Sequence, residues 1–532
     1  MKIKITNFKV ALNKRNYSLS DLIENEFKFS KAYINHIYVS KESVDARHKN
    51  KITISYNLIV DINESKYYLL SDYKNIEIYN DQEIKLDYPT YPYSDRPIIV
   101  GFGPSSIFAA LYLSRCNAKP IIIERGSKMD RRIKDVEDFI NNKNININSN
   151  IQFGEGGAGT FSDGKLTTNV KDKLLTFIIQ EFVHYGAPKD ILYESKAHIG
   201  TDYLRIVIKN MREDMKKLGA TFYFNTKFEN FENIDSNQVL VKTSGANNLS
   251  LTTSHLILGL GHSARDTIKM LYSKGLNMEA KAFSMGVRIE HKREKINEIQ
   301  YGTSAKVLPP ASYKLVVHLE NNRSCYSFCM CPGGTVMAST SEENSIVTNG
   351  MSYYARDLEN SNAALLVNVE PSDYVKKSIL DGLDYQEYYE KKAFEISKDY
   401  RAPINLVKEF LNNEVASTIR SVKPSYPMGY TFADLSLCLP KYVVESLRLA
   451  IPEFDKKMKG YNDPDAVLTG IESRSSCPVR ILRDDSRVSN NKCIYPIGEG
   501  AGYAGGISSA ALDGLKSAIM IVKGVEYGKQ ED

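Results

Sequence analysis

An excess of charge of either sign is almost missing from this sequence. Over 532 residues, 69 Lys and Arg face 64 Asp and Glu, a formal balance of +5. That excess is far short of the clustered basic surface that nucleic-acid binding needs. Cysteine is scarce and odd in number, seven in all, with no secretory signal ahead of it. A disulfide framework is therefore not expected, and a reducing cytoplasm is the expected location. Long hydrophobic runs are lacking as well. The opening stretch MKIKITNFKVALNKRNYS alternates charged and apolar residues, so it does not read as a signal peptide. The best candidate span, residues 97 to 116, is broken by Gly101, Gly103 and Pro104, which mark a turn rather than a membrane crossing. There is no internal repeat and no low-complexity tract.

What is present is an ordinary globular composition, 42% hydrophobic and 25% charged, in a chain several times the ~100–150 residues of a typical domain. Residues 1–90 read as alternating strands around a polar helix, an N-terminal α+β module carrying 14 basic and 12 acidic residues. Its expected role is packing or docking. The proline-rich DYPTYPYSDRP then makes a linker. Residues 91–279 follow a strand, turn, helix, strand order typical of a doubly wound, Rossmann-like α/β sheet. Residues 280–469 change texture to antiparallel strands and a Lys- and Tyr-rich helical region from about 375 to 465, read as an inserted domain. Residues 470–532 return to the first.

The strongest local signal is Gly101-Phe102-Gly103-Pro104-Ser105-Ser106, directly after the apolar PIIV and directly before a helix. Gly101 permits the tight turn, Gly103 admits a pyrophosphate, and Ser106 takes the third small position. Glu124, followed by Arg125, ends the next strand at about the 20-residue spacing expected of a carboxylate that binds a ribose hydroxyl pair. The pattern points to an adenine dinucleotide with an unphosphorylated ribose, FAD or NAD.

Two further glycine clusters favour FAD. The loop from Phe153 to Leu166 contains Gly157, Ala158, Gly159 and Thr160 and ends in Lys165 and Leu166. It is too glycine-dense for a strand or helix and suits backbone contact with a flat ligand, with Lys165 adding positive charge. The second cluster, from Gly498 to Ile507, opens a helix at Gly505 and Gly506 whose positive end would favour a reduced flavin.

In order along the chain, GFGPSS, FGEGGAGTFSDGKL, LGLGHSARDT, CMCPGG, ESRSSCPVR and IGEGAGYAGGI resemble the uncharacterised bacterial FAD-dependent dehydrogenase family, in the glutathione reductase-like class of flavoproteins. The resemblance runs from about residue 95 to the C-terminus, and the N-terminal module with KESVDARHK is also similar. It implies an extended FAD, with Gly101, Gly103 and Ser106 at the pyrophosphate and Glu124 at the adenosine ribose. Thr226 and Lys227 would lie near the adenine, and Gly498 and Glu499 near the ribityl chain and pyrophosphate. Glu499 stands where the class usually has Asp.

Catalytic candidates are His262 and Arg474. His262 follows Gly261 at a strand end, where it serves either as an acid or base near the flavin or as a partner of the backbone or of FAD. Arg474 either orients an anionic substrate or pairs with a carboxylate between domains. Cys325, Cys329 and Cys331 form CxxxCxC, short of the four ligands a metal site needs. They read as buried strand residues rather than a redox dithiol. The expected activity is that of an FAD-dependent oxidoreductase moving hydride between flavin N5 and a small-molecule substrate. NADH or NADPH is a transient donor at most, because no second complete GxGxxG unit is present. The alternatives are a flavoprotein that binds or modifies RNA through its N-terminal module, and a non-catalytic redox sensor.

Overall fold

The computed structural model describes residues 1–80 and 85–524, so the last residues of the N-terminal module's linker side, 81–84, and the segment 525–532 lie outside the described residues. In the N-terminal module, alternating apolar positions make half-buried strands. Strands Lys2–Ala11 and Thr53–Ile62 turn Ile3, Ile5, Leu58 and Val60 inward. Four antiparallel strands in the order 34–45, 53–62, 2–11, 76–78 are packed by helix Leu19–Phe27 through Leu22, Ile23 and Phe27. The module docks on its own chain. The Glu42 N–H donates to the Tyr193 carbonyl at 2.7 Å and the Ser195 N–H to the Glu42 carbonyl at 2.9 Å. Its apolar face joins the inserted domain's core in one cluster.

The second unit is a five-stranded parallel sheet in the order 494–496, 256–258, 98–100, 121–123, 221–223. Strands such as Ile98–Val100 and Ile121–Ile123 are wholly apolar, as burial on both faces requires. On one face Ile99, Ile122 and Ile257 meet helices Pro104–Arg115, Gly200–Lys217 and Ile507–Lys523. On the other, Ile98, Val100, Ile121 and Ile123 meet Phe228, Val239 and Val241. Those residues belong to a three-stranded antiparallel sheet formed by 226–233, 239–245 and 250–253. The doubly wound expectation is corrected here: three helices cover one face, and the other is covered by antiparallel strands together with helix Arg265–Ser273, through Leu271. Residues 226–253 alternate apolar and polar with period two, which buries one side only in a strand.

The inserted domain is built on a seven-stranded sheet in the order 316–318, 324–331, 360–369, 283–292, 467–472, 402–406, 430–432. Strand Val467–Glu472 pairs with Phe283–Lys292, so the chain stays in this sheet three residues past the boundary drawn at 469. The region from 375 to 465 is not uniformly helical. Helices Asp381–Ser397 and Lys441–Lys457 flank strand Ala402–Leu406, whose five residues are all buried. An apolar run of that length has no room for a 3.6-residue stripe. Among the described residues no helix is long and apolar enough to cross a membrane.

A buried carboxylate ties these parts together. Glu390, on helix Asp381–Ser397 and fully buried, accepts from Arg265 at 2.7 and 3.0 Å and from Arg474 at 2.9 and 2.7 Å. Burial alone would raise its pKa, but the two guanidiniums hold it well below the usual carboxylate range. A carboxylate depressed in the folded state stabilises fully above its unfolded pKa of ~4.3, and that contribution drains away as the pH falls further. Glu390→Gln leaves Arg265 and Arg474 with the half-buried Glu342, at 2.7 and 3.5 Å, as their shared remaining carboxylate, and is expected to cost about 3 kcal/mol at neutral pH. In urea melts between pH 7 and pH 3, the variant should also lose less stability on acidification than the parent.

Candidate functional site

Gly101 ends strand Ile98–Val100 with φ +86°, and a Cβ there would fall 2.3 Å from the Gly259 carbonyl oxygen of the adjacent strand. Only glycine passes this turn. Gly103 caps helix Pro104–Arg115 with no side-chain cap, and Pro104 takes the first helical turn. Ser106 is fully buried against Gly259, where a Cβ would lie 2.1 Å from Ser106 Oγ. Ser105 underlies the C-terminal cluster: a Cβ on Gly498 would lie 2.5 Å from Ser105 Oγ, and one on Gly514 would lie 1.9 Å from its carbonyl oxygen. Helices Pro104–Arg115 and Ile507–Lys523 therefore cross in direct contact.

The long glycine loop lies against this crossing. A Cβ on Gly157 (φ +64°) would come within 2.9 Å of Gly103 Cα, and one on Gly159 would meet Ile507 at 3.4 Å and Pro104 at 3.7 Å. Gly103, Pro104, Gly157, Ala158 and Gly159 stay half-buried among buried neighbours, so their backbones edge an open strip. A Cβ on Gly103 meets nothing nearer than Gly157 Cα at 3.8 Å, leaving space in front of the helix end.

Arg132, which sequence reasoning missed, holds the loop in shape. Its fully buried guanidinium donates to the carbonyls of Asn150, Ile151, Glu155 and Gly157 at 2.7–2.9 Å and to Thr160 Oγ1 at 2.7 Å. Burial pulls this guanidinium down to about 9, which leaves it charged at neutral pH. Glu155, also fully buried, accepts from the Met129 N–H and from Arg212, both at 2.7 Å. A signal was available: Met129, Arg132, Val136 and Phe139 form the buried stripe of helix Met129–Asn142, and arginine in an apolar stripe marks a buried partner.

Glu124 is buried at the end of its strand. Its Oε1 accepts from the N–H groups of Gly126 and Gly154 at 2.9 Å each, and Oε2 accepts from the Phe102 N–H at 2.8 Å. It thus pins both glycine segments, and its acceptor capacity of about four bonds is not exhausted. Glu124 also lines a small, partly open cavity of about 30 Å³, together with Gly101, Phe153, Phe228, Leu260 and Thr267. Arg125 lines it too, stacked 4.4 Å from the Phe153 ring and paired with Asp266 at 2.9 Å. Thr226 and Lys227 do not. The Thr226 hydroxyl donates to the Phe224 carbonyl, and Lys227 pairs with Asp266 at 3.0 Å. The next inward residue of that strand, Phe228, occupies the position instead, two places on by strand alternation.

Lys165 is not a free charge. It donates to the Met330 carbonyl and lies 3.2 Å from Asp163. Burial would raise Asp163, but Lys165, His198 and Arg356 hold it at about 2. Leu166 is buried, and its carbonyl accepts from Ser508 Oγ at 2.7 Å. In the C-terminal cluster the Gly498 N–H donates to Asp513 at 2.8 Å, and Asp513 is fixed by Arg483 and Arg487. Gly505 and Gly506 are exposed, and helix Ile507–Lys523 begins at Gly506 without a side-chain cap. Its first N–H groups are left for another acceptor. Gly261, with φ +73°, presses on Gly500. His262 Nδ1 lies 3.3 Å from Glu499 Oε1, outside hydrogen-bond geometry, and both buried ring nitrogens lack a hydrogen-bond partner among the described residues.

Of the two readings of Arg474, substrate ligand or cross-tie, its contacts fit the cross-tie. Besides Glu390 it donates to Ser263 at 3.0 Å and to Ser341 at 2.6 Å, which leaves little of its fork for an anionic substrate.

The donor set suits a dinucleotide: two uncapped helix ends for anionic groups, a carboxylate beside a cavity, and glycines where a Cβ would close the strip. A family profile described as "FAD-dependent protein, C-terminal domain-like" matches residues 282–475. An uncharacterized protein of Clostridium beijerinckii is 46% identical over 536 residues, covering 99% of this chain and all of its own. Among solved structures, CtdE in complex with FAD aligns over 81% of this chain and 84% of its own at 11% identity and a TM-score of 0.31. The aklavinone-11 hydroxylase complex with FAD and aklavinone covers 81% and 62% at 12% identity and a TM-score of 0.34. These two likenesses are too distant to bear on the chemistry. The cofactor expected from the glycine motifs, FAD, is the cofactor of the family. With a relative of nearly half-identical sequence along its whole length and that profile over its inserted domain, the chain belongs to the same family as the C. beijerinckii protein, a family of FAD-dependent proteins.

Proposed function

We propose that this protein is an FAD-dependent oxidoreductase that works on a small-molecule substrate between the parallel-sheet domain and the inserted domain. One observation carries the reading: two uncapped helix N-termini, at Gly103 and Gly506, are brought together by Gly159, whose Cβ would meet both Pro104 and Ile507, while Gly101, two residues before Gly103, lines the Glu124 cavity. The helix end at Gly103 would hold the pyrophosphate, and Glu124 would take a ribose hydroxyl on its spare acceptor capacity. The exposed Gly505-Gly506 backbone and the helix behind it would stabilise negative charge on the flavin. His262, with partnerless nitrogens beside Glu499, would hold or move a proton there. Bound FAD supplies two-electron chemistry by taking or giving hydride at N5. NADH or NADPH would act as a transient donor.

The test is the visible spectrum of the purified protein, kept anaerobic while NADH or NADPH is added. A flavin band that bleaches supports a nicotinamide-linked oxidoreductase, and one that persists points to another donor. No band after incubation with FAD would overturn the reading. Gly103→Val should still fold, because φ −88° suits valine and nothing lies nearer the new Cβ than Gly157 Cα at 3.8 Å, yet purify without flavin. Arg132→Lys has too few and too compact donors for five acceptors. It should lower both the flavin-to-protein absorbance ratio and the thermal midpoint, the latter by a loss of about 2 kcal/mol or more from unsatisfied buried carbonyls.

A further inference from the structure

Cys329 and Cys331 lie on strand Ser324–Cys331, but their backbone is not that of a plain strand. Pairing with Asn360–Val369 slips between Phe328 and Cys331, and Cys329 sits in the left-handed region with φ +42°. That conformation is costly for a residue with a Cβ, and such cost persists only where the surroundings enforce it. In a regular strand, residues two apart stand roughly 6.7 Å from each other, at the upper edge of the about 4.4–6.8 Å that a disulfide spans. The bulge departs from that regular spacing, and the Cys331 thiol donates to the Cys329 carbonyl at 3.2 Å.

Two cations flank the pair. The fully buried Arg288 donates to the Cys329 carbonyl at 3.0 Å and reaches Cys331 Sγ at 3.6 Å. From the other side, Lys165 donates to the carbonyl of Met330, between the two cysteines. Asp163 and His198, beside Lys165, each keep a buried polar atom without a hydrogen-bond partner. The Cys331 thiol and the Lys165 ammonium pull Cys329 below its ordinary value, while burial pushes Cys331 up. Cys329 keeps some exposure where the other six cysteines are buried, and Cys116, Cys325 and Cys438 are pushed up by burial. An activated thiol beside a second thiol is the arrangement that thiol–disulfide chemistry uses.

The pair also lies close to the cleft. Lys165 precedes Leu166, whose carbonyl is bonded by Ser508 in the first turn of helix Ile507–Lys523. Residues 165 and 166 thus link that helix end, through the Leu166 carbonyl, to the Met330 carbonyl between the two cysteines, through the Lys165 side chain.

We propose that Cys329 and Cys331 are a redox dithiol that exchanges electrons with the bound flavin, an inference that rests on the FAD reading above. As the S–S bond forms, the two thiols give up two protons and two electrons, and oxidised FAD takes up both protons and both electrons. In the reverse direction, reduced FAD cleaves the disulfide and returns to its oxidised form.

The experiment is an anaerobic dithionite titration of the air-oxidised, FAD-loaded protein, followed at the flavin band. Free thiols are counted by alkylation and mass spectrometry before and after. The wild type should show two fewer reactive thiols than its seven cysteines before reduction, all seven afterwards, and the missing pair within the peptide that holds Cys329 and Cys331. It should take up twice the reducing equivalents per flavin that Cys329→Ser or Cys331→Ser takes, whereas Cys325→Ser should match the wild type. Either serine variant suffices if the other fails to fold. Seven free thiols in the oxidised, flavin-loaded protein, with uptake equal to that of the serine variants, would overturn the dithiol and leave the FAD reading intact. A protein that holds no FAD would overturn both.

Discussion

Everything near the cleft depends on how the backbone of the glycine-dense loop is satisfied. A segment with glycine at 154, 156, 157, 159 and 164 has little side-chain surface to bury and no periodic ladder to absorb its carbonyls. Arg132 solves this by placing one planar five-donor fork where four of those orphan carbonyls and one hydroxyl converge. Because a guanidinium is rigid, meeting all five acceptors also fixes the path of the loop. Glu155, clamped by Arg212 and by the first turn of the preceding helix, Met129–Asn142, anchors the same segment.

With the loop so fixed, positive character at the cleft comes from the backbone. Arg125 and Lys227 are spent on Asp266, Lys165 on Asp163 and Met330, and Arg474 on Glu390. What remains turned to the open strip is the uncapped end of two helices, brought side by side because Gly514 lets them touch at Ser105. Fixed dipoles of this kind need no reorganisation when charge arrives, whereas a free lysine would have to be desolvated and ordered each time.

Motifs set by local steric rules were legible in the sequence. Gly101 and the capping Gly103 follow from the turn and helix geometry alone, and the central strands of the N-terminal module, 2–11 and 53–62, follow from alternation. Contacts decided by tertiary packing were not. Thr226 and Phe228 are both apolar-side residues of one strand, and only the bulge before Asn230 and the facing cavity single out Phe228. The choice between the two roles of Arg474 was not legible, because no sequence pattern links it to Glu390, 84 positions away. The strand cover on one face of the parallel sheet was partly readable, since 226–253 alternates, but a doubly wound template outweighed that signal.

The loop also couples the two large domains. At one end it answers to Arg132 and Glu124 in the parallel-sheet domain, and at the other Asp163 accepts from Ser352 while Lys165 reaches Met330, both in the inserted domain. His198 extends that junction by donating to the Tyr353 carbonyl at 3.1 Å, and burial keeps it neutral, with its pKa lowered to about 4. A rigid segment held at both ends transmits displacement rather than absorbing it. The strand that carries Met330 is thereby tied through residues 165 and 166 to the first turn of helix Ile507–Lys523. The inserted sheet is, in this sense, part of the cleft's wall.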